Sequence, residues 1–126
     1  MYIGKAAQLS GTTIKAIRHY EAIGLLPPPQ REGKYRIYSP QNVELLSFIK
    51  CAQKLGFKLK ELQVILRGYQ GDELPWQRAN RAIEEKKQQL VNQIEALQRV
   101  HAGLVEFEAS REGVSDFCLP ADGGPP

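Results

Sequence analysis

The side chains best placed for chemistry in this sequence are cations interleaved with apolar residues near the start of the chain. The segment Thr12–Glu21, TTIKAIRHYE, is predicted to form a short helix whose first turn is capped by the Thr12 hydroxyl. Ile14 and Ile17 lie three apart, fall on one face of that helix and are predicted to pack. The other faces carry side chains that can meet phosphates or base edges, namely Lys15, Arg18 and His19.

A second short helix must position this one. Ile3–Leu9 carries packing residues at helical spacing, and Ser10 and Gly11 end it. Two short helices joined by a turn with glycine predict a helix-turn-helix, which is typical of DNA-binding proteins. The alternative is an ordinary pair of amphipathic helices with no nucleic acid. The residues predicted to pack are Ile3, Ala6, Ala7 and Leu9.

A β-hairpin is predicted between residues 30 and 39. Three prolines, 27–29, force an extended entry, Gly33 marks a tight turn, and the residues after it alternate as in a strand. Such a wing would lie beside the groove that the helix enters and touch the DNA backbone. Its cations are Arg31, Lys34 and Arg36.

Two more helices are predicted to complete the core. Ser39 and Pro40 begin one that Gly56 ends, and Leu59–Arg67 forms the other. Lys58 and Lys60 lie where a phosphate could also meet free backbone N–H groups.

Charge separates the chain into two halves. Residues 1–60 hold ten Lys or Arg against three Glu, a net of +7, and the remainder has seven against eleven, a net of −4. This asymmetry favours a polyanion as partner of the first half. A solvated basic face without nucleic acid is the alternative.

Several classes of protein are disfavoured. No apolar run reaches membrane-spanning length and no signal peptide is recognised, so a cytoplasmic location without membrane contact is expected. Cys51 and Cys118 are far apart, which predicts free thiols, with no disulfide framework, structural zinc or other cofactor. No nucleophile, base and orienting group stand at recognisable spacing, so no enzyme is expected.

The acidic half is predicted to hold one long helix, from Trp76 to Glu108. Apolar residues recur every seven positions along one seam of this helix, and a second seam beside it holds fewer apolar residues. This pattern fits a two-stranded coiled coil. Such a helix is about 50 Å long and needs a partner to bury its stripe. His101 is interpreted as a packing residue, with a metal or pH role as the alternative, and Trp76 as packing on the Leu59–Leu66 helix, with an effector pocket as the alternative. The dimerisation residues are Trp76, Ile83, Leu90, Ile94, Leu97, His101 and Leu104.

Three stretches together resemble the MerR family of bacterial transcription regulators. They are IGKAAQLSGTTIKAIRHYEAIGLLPP, YRIY and LLSFIKCAQKLGFKLKELQVIL. The resemblance implies a mainly α chain, with a winged helix-turn-helix domain over residues 1–70, an antiparallel dimerisation helix over 75–108, and an effector loop and tail over 109–126. It also implies a homodimer that binds double-stranded promoter DNA with an overlong spacer and makes it usable by RNA polymerase.

The resemblance also assigns DNA contacts residue by residue. They are Lys15, Arg18, Tyr20, Tyr35, Arg36 and Tyr38. For Tyr20 and Tyr38, packing in the core with a satisfied hydroxyl remains an equal alternative.

The effector is less well defined by the resemblance. Metal-sensing members use a pair of cysteines in the loop after the long helix, whereas this chain has only Cys118 there and Ser110 eight residues earlier. Since soft metals need at least two thiolates, the usual metal set is disfavoured. Cys51 resembles the single cysteine of members that respond to aldehydes or thiol stress, and Lys50 and Lys54 would favour its thiolate. The alternative is a buried structural cysteine.

The sequence therefore predicts a dimeric transcription regulator switched by an effector or by thiol modification. An effector-independent architectural DNA-binding protein and a coiled-coil module that binds an acidic protein are the alternatives.

Overall fold

The computed structural model describes residues 1–110, and the chain divides into two compact units, Met1–Asn80 and Arg81–Pro126. It confirms a mainly helical chain with a small wing and a long last helix. The elements are α1 (Ile3–Ser10), α2 (Ile14–Ala22), β1 (Gln30–Glu32), β2 (Tyr35–Ile37), α3 (Pro40–Lys54), α4 (Leu59–Ile65) and α5 (Trp76–Ala109). Within residues 1–110 none of these helices has the length and apolarity to cross a membrane.

The turn between α1 and α2 requires a glycine. Gly11 ends α1 with φ +69°, in the left-handed region that glycine adopts without a steric penalty. The Lys50 ammonium, on α3, donates to the Gly11 carbonyl oxygen. A Cβ at Gly11 would lie 2.9 Å from Lys50 Nζ. A side chain at position 11 would therefore displace the lysine that holds the turn on α3.

The cap of α2 is one residue later than predicted. Thr13 Oγ1 accepts a hydrogen bond from the Ala16 N–H at 3.0 Å. Thr12 is not the cap, because its hydroxyl is 2.7 Å from that of Ser10, with which it shares a hydrogen bond. Thr12 and Thr13 carry the same hydroxyl group. Because the Thr12 hydroxyl is hydrogen-bonded to Ser10, Thr13 caps the helix.

The core lies where α1, α2, α3 and α4 meet. Ile17, Leu45, Leu46, Ile49 and Leu62 are fully buried there. Two residues predicted to pack, Leu9 and Ile14, are exposed instead: Leu9 lies off the buried face of α1, and Ile14 is the first residue of α2. Leu55, which follows the last residue of α3, is exposed as well. Positions at helix edges and ends are only partly covered in so small a unit.

The wing is a two-stranded antiparallel hairpin, as predicted. Gln30 pairs with Ile37, Arg31 with Arg36 and Glu32 with Tyr35, so Gly33 and Lys34 form the two-residue turn. Gly33 has φ +61°, which this type of tight turn requires. The next residue, Tyr38, donates its backbone N–H to the Met1 carbonyl oxygen at 2.7 Å. The backbone of Met1 is therefore hydrogen-bonded to the residue that follows β2.

Helix α3 begins as predicted. The Ser39 hydroxyl accepts from the Asn42 N–H, the Asn42 side chain accepts from the Ser39 N–H, and Pro40 occupies the first turn. Helix α4 is two residues shorter than predicted, because Leu66 already serves as its C-cap.

Helix α5 is a single helix of 34 residues, which confirms the predicted long helix. Of the residues of α5, Ala79 in the first turn is buried. Large apolar side chains along the rest of α5 are exposed in the single chain, including Leu90, Ile94, Leu97, Val100 and Leu104.

We expect Leu46→Ala to lower the free energy of unfolding by about 2–5 kcal/mol, because it removes a fully buried side chain and leaves a cavity. Leu55→Ala is the matched control: Leu55 is 73% exposed and follows the same helix, so its change should stay within about 0.5 kcal/mol. Urea unfolding at equal protein concentration measures both values. Equal losses for the two variants would contradict this placement of the core.

Candidate nucleic-acid interface

Helix α2 separates a buried face from a cationic face. Ile17 and Tyr20 are buried, whereas Lys15, Arg18 and His19 are exposed. This is the arrangement predicted for a helix that packs on one side and contacts DNA on the other. It leaves a lysine, an arginine and an imidazole on one short helix, free to meet phosphates or base edges.

Tyr20 belongs to the core. Its side chain is 7% exposed and its hydroxyl donates to Gln53 Oε1, on α3, at 2.8 Å. Burial raises the pKa of Tyr20, so the hydroxyl stays protonated and remains a donor. The packing alternative therefore describes Tyr20 in the single chain, where the residue joins α2 to α3, and its contact with DNA stays a prediction.

Glu21 joins the wing to α2. Arg36 Nε donates to Glu21 Oε1 at 2.9 Å, across 15 positions of sequence. Because the Glu21 side chain is only 15% exposed, the ion pair is partly shielded from solvent. Arg36 was predicted as a DNA contact, but its Nε–H is already engaged in holding β2 against α2.

Tyr38 contacts the other oxygen of the same carboxylate. Its hydroxyl lies 3.5 Å from Glu21 Oε2 and its side chain is 1% exposed. Burial, and then the negative charge of Glu21, raise the pKa of Tyr38, so its hydroxyl also remains a donor. Tyr38 is thus a core residue of the single chain, and its contact with DNA likewise stays a prediction.

The exposed surface of the wing carries both charge and aromatic rings. Arg31, Lys34 and Tyr35 are exposed, and their contact with DNA stays a prediction. Tyr35 packs against Tyr2, with ring centroids 5.6 Å apart and planes tilted by 53°, and both rings are more than half exposed. Amphipathic rings beside cations suit a sugar–phosphate backbone.

The start of α4 is already occupied by a carboxylate. Glu61 Oε1 accepts from the Lys58 N–H at 2.9 Å. The predicted phosphate contact at this helix end is therefore disfavoured, because a phosphate would have to displace the Glu61 carboxylate from the Lys58 N–H. Helix α4 instead supports α2, since Gln63 Nε2 donates to the Ile23 carbonyl oxygen at 3.2 Å.

Sequence reasoning missed three residues of this interface. They are Glu21, which holds the wing on α2, Gln53, which accepts the hydrogen bond of the Tyr20 hydroxyl, and Tyr2, which packs on Tyr35. Glu21 carried a detectable signal, because it is one of three acids among the first sixty residues and falls inside the cationic segment. Gln53 and Tyr2 carried none, since neither stands at a distinctive spacing.

The structure places one of the two cysteines. Cys51 is an exposed free thiol, so the interpretation as a buried structural cysteine is wrong. Its neighbour Lys50 is engaged with the Gly11 carbonyl oxygen. Cys118 lies outside the described residues. Within residues 1–110 no group of three or more His, Cys, Asp or Glu side chains is placed to hold a metal ion.

The predicted dimerisation residues lie along α5. Five of them, Ile83, Leu90, Ile94, Leu97 and Leu104, are between 37% and 68% exposed in the single chain. His101 is exposed as well.

Trp76 has an aromatic partner on α3. It packs edge-on against Phe48, with ring centroids 5.6 Å apart and planes at 89°. Its packing on the Leu59–Leu66 helix stays a prediction. The contact with Phe48 holds the first turn of α5 within the compact unit Met1–Asn80, called the winged unit below.

Comparison with known proteins agrees with this architecture. The family described as MerR HTH family regulatory protein matches residues 1–69, and the one described as MerR, DNA binding matches residues 43–107. The lead(II)-bound transcription regulator PbrR691 from Ralstonia metallidurans CH34 has a similar structure, with a TM-score of 0.66 and 25% identity over 92% of this chain and 91% of that one.

Two curated relatives extend the likeness over most of the chain. The mercuric resistance operon regulatory protein of Bacillus cereus is 36% identical over 107 residues, 84% of this chain and 81% of that protein. The regulator CueR of Escherichia coli O157:H7 is 33% identical over 121 residues, 95% and 90% of the two chains. The chain belongs to the MerR family of DNA-binding transcription regulators and is not an enzyme.

Proposed function

We propose that this regulator binds an inverted-repeat promoter as a homodimer, with one winged unit on each half-site. The observation that carries the proposal is the Glu21 carboxylate, which holds the wing on α2 through Arg36 and Tyr38. Two exposed cationic elements are thereby fixed relative to each other. A rigid pair of this kind can follow the major groove with the helix and the adjacent backbone with the wing.

The residues divide into contacts and supports. Arg18 is proposed to read a base edge, because its guanidinium can pair bidentately with guanine. Lys15 and His19 from α2, and Arg31 and Lys34 from the wing, are proposed to meet phosphates. The Tyr2–Tyr35 pair would lie against the sugar–phosphate backbone. The supports, which position these contacts, are Tyr20, Arg36 and Tyr38.

Pairing through α5 would duplicate the interface. A helix of 34 residues is about 51 Å long, and its exposed leucines would be buried against a second copy. An antiparallel pair, as the family resemblance implies, would present two copies of α2 to successive half-sites of a pseudo-palindrome.

Activation is proposed to act through the shape of the promoter. If the two half-sites lie within an overlong spacer, a dimer that bends or untwists the DNA would make the promoter usable by RNA polymerase. Part of the sequence preference would then come from the cost of deforming the spacer, at positions that no side chain touches.

The switch is proposed to use an effector or thiol chemistry in place of the usual metal-binding cysteine pair. The Bacillus cereus relative is named for mercuric resistance, but this chain has two cysteines in all, and only Cys118 falls in the loop region. Cys51 is exposed on α3 and accessible to an electrophile in the single chain. Its place one residue after Lys50, which contacts the helix-turn-helix turn, offers a route from thiol to DNA-binding unit.

Arg18→Ala should weaken binding to an inverted-repeat promoter fragment by about 1–3 kcal/mol and relax its sequence preference. Arg81→Ala is the matched control, because Arg81 is an equally charged, exposed residue on α5 and should leave affinity nearly unchanged. Fluorescence anisotropy across a salt series measures both, with a scrambled duplex for comparison. Equal affinity of the wild type for the promoter and the scrambled duplex would refute sequence-specific binding.

Glu21→Ala should lower DNA affinity about three- to tenfold, because the wing loses a charged hydrogen-bond partner and Tyr38 loses its acceptor. This sign is opposite to the one expected from charge alone, since removing a carboxylate strengthens attraction to phosphate. Glu32→Ala, on the exposed strand β1, supplies the charge-only control and should leave affinity unchanged or increased. If both variants bind DNA more tightly than wild type, Glu21 does not support the wing.

Leu97→Glu should dissociate the dimer, because a charge would enter the apolar seam at a side chain that is 68% exposed in the single chain. Asn92→Glu adds the same charge about 140° around the helix and should remain dimeric. Sedimentation equilibrium distinguishes the two. A wild-type protein that sediments as a monomer at working concentration would contradict pairing through α5.

A further inference from the structure

Arg78 closes the end of α4. Its Nη1 donates to the Arg67 carbonyl oxygen at 2.7 Å and to the Ile65 carbonyl oxygen at 3.1 Å, and lies 3.5 Å from that of Val64. The last carbonyls of a helix have no partner within it and carry partial negative charge. A guanidinium at this place supplies both a donor and a positive charge.

The same turn of α5 is held from another side. Trp76 packs edge-on against Phe48 of α3, and Ala79 is 2% exposed. The first turn therefore contacts α3 and α4 together, and it belongs to the compact unit Met1–Asn80. The intervening loop, residues 66–75, contains Gly68 and Gly71, both with positive φ. Glycine backbones restrict their neighbours least. Arg78 and Trp76 therefore add restraint to a loop whose own side-chain hydrogen bond runs from the Tyr69 hydroxyl to the Asp72 carbonyl oxygen, at 3.3 Å.

We propose that Arg78 is a positioning residue that determines which half-site spacing the regulator accepts. This inference rests on the dimer and the inverted repeat proposed above. In such a dimer the first turn of α5 connects each winged unit to the paired helices. An anchor on the α4 carbonyls limits how far that connection pivots, and a narrow range of pivots admits a narrow range of distances between half-sites.

The test is a spacing series. Duplexes carry the same two half-sites with the separation changed one base pair at a time, and affinity is measured for each. Wild-type protein should prefer one separation. In Arg78→Ala the ratio between the best separation and its one-base-pair neighbours should fall about tenfold, as expected for losing hydrogen bonds to a charged group. Binding to a duplex with a single half-site should stay the same.

Arg81→Ala is the control for loss of charge near the start of α5. Its spacing profile should match wild type, and a profile as flat as that of Arg78→Ala would overturn the proposal. A folded Arg78→Ala protein that keeps the wild-type profile would also overturn it. Should Arg78→Ala fail to fold, Arg78→Gln applies the same test, because it removes the charge and keeps most of the length.

The two proposals fail in different ways. A wild-type protein that binds no member of the series better than scrambled DNA refutes the proposed function and this inference together. A wild-type protein that prefers one separation, with Arg78→Ala and Arg78→Gln preferring it equally, refutes only the role of Arg78.

Discussion

The exposed cationic surface of α2 and the wing depends on one interaction, the pair of contacts made by the Glu21 carboxylate. A hairpin with three residues in each strand is marginal in water by itself, and the wing is held because Arg36 and Tyr38 reach the two oxygens of one acid on α2. The negative charge of Glu21 weakens the attraction of this surface for phosphate, but the contacts of Glu21 with Arg36 and Tyr38 fix the position of the wing. A surface with a higher positive charge but a free wing would attract DNA and fit it poorly.

The four tyrosines of the helix-turn-helix and wing occupy two kinds of environment, the core and the exposed cationic surface. Tyr20 and Tyr38 bury their rings and satisfy their hydroxyls on Gln53 and Glu21. Their raised pKa values keep them neutral, so no additional charge has to be buried. Tyr2 and Tyr35 have the opposite environment, with rings exposed on the wing. The same residue type therefore supports the interface in two places and is available to a ligand in two others.

Local rules predicted most of the fold. A serine before a proline gave the start of α3, a glycine gave the wing turn, and a seven-residue repeat gave α5, because each depends on neighbours along the chain. The partners of the tyrosines could not be predicted in this way, since Gln53 lies 33 residues from Tyr20. The same limit applies to Trp76: its place in the α5 pattern implied contact with a neighbouring helix, but not that Phe48 on α3 would be its aromatic partner.

The pairing of Met1 with Tyr38 has a practical consequence for handling the protein. Tyr38 donates its N–H to the Met1 carbonyl oxygen, and the Met1 nitrogen returns a hydrogen bond to the Tyr38 carbonyl oxygen at 2.9 Å. A purification tag joined ahead of Met1 would emerge next to the wing. The hydrogen bond between the Tyr38 N–H and the Met1 carbonyl oxygen would survive, but the added peptide would compete with a duplex for the space beside the wing.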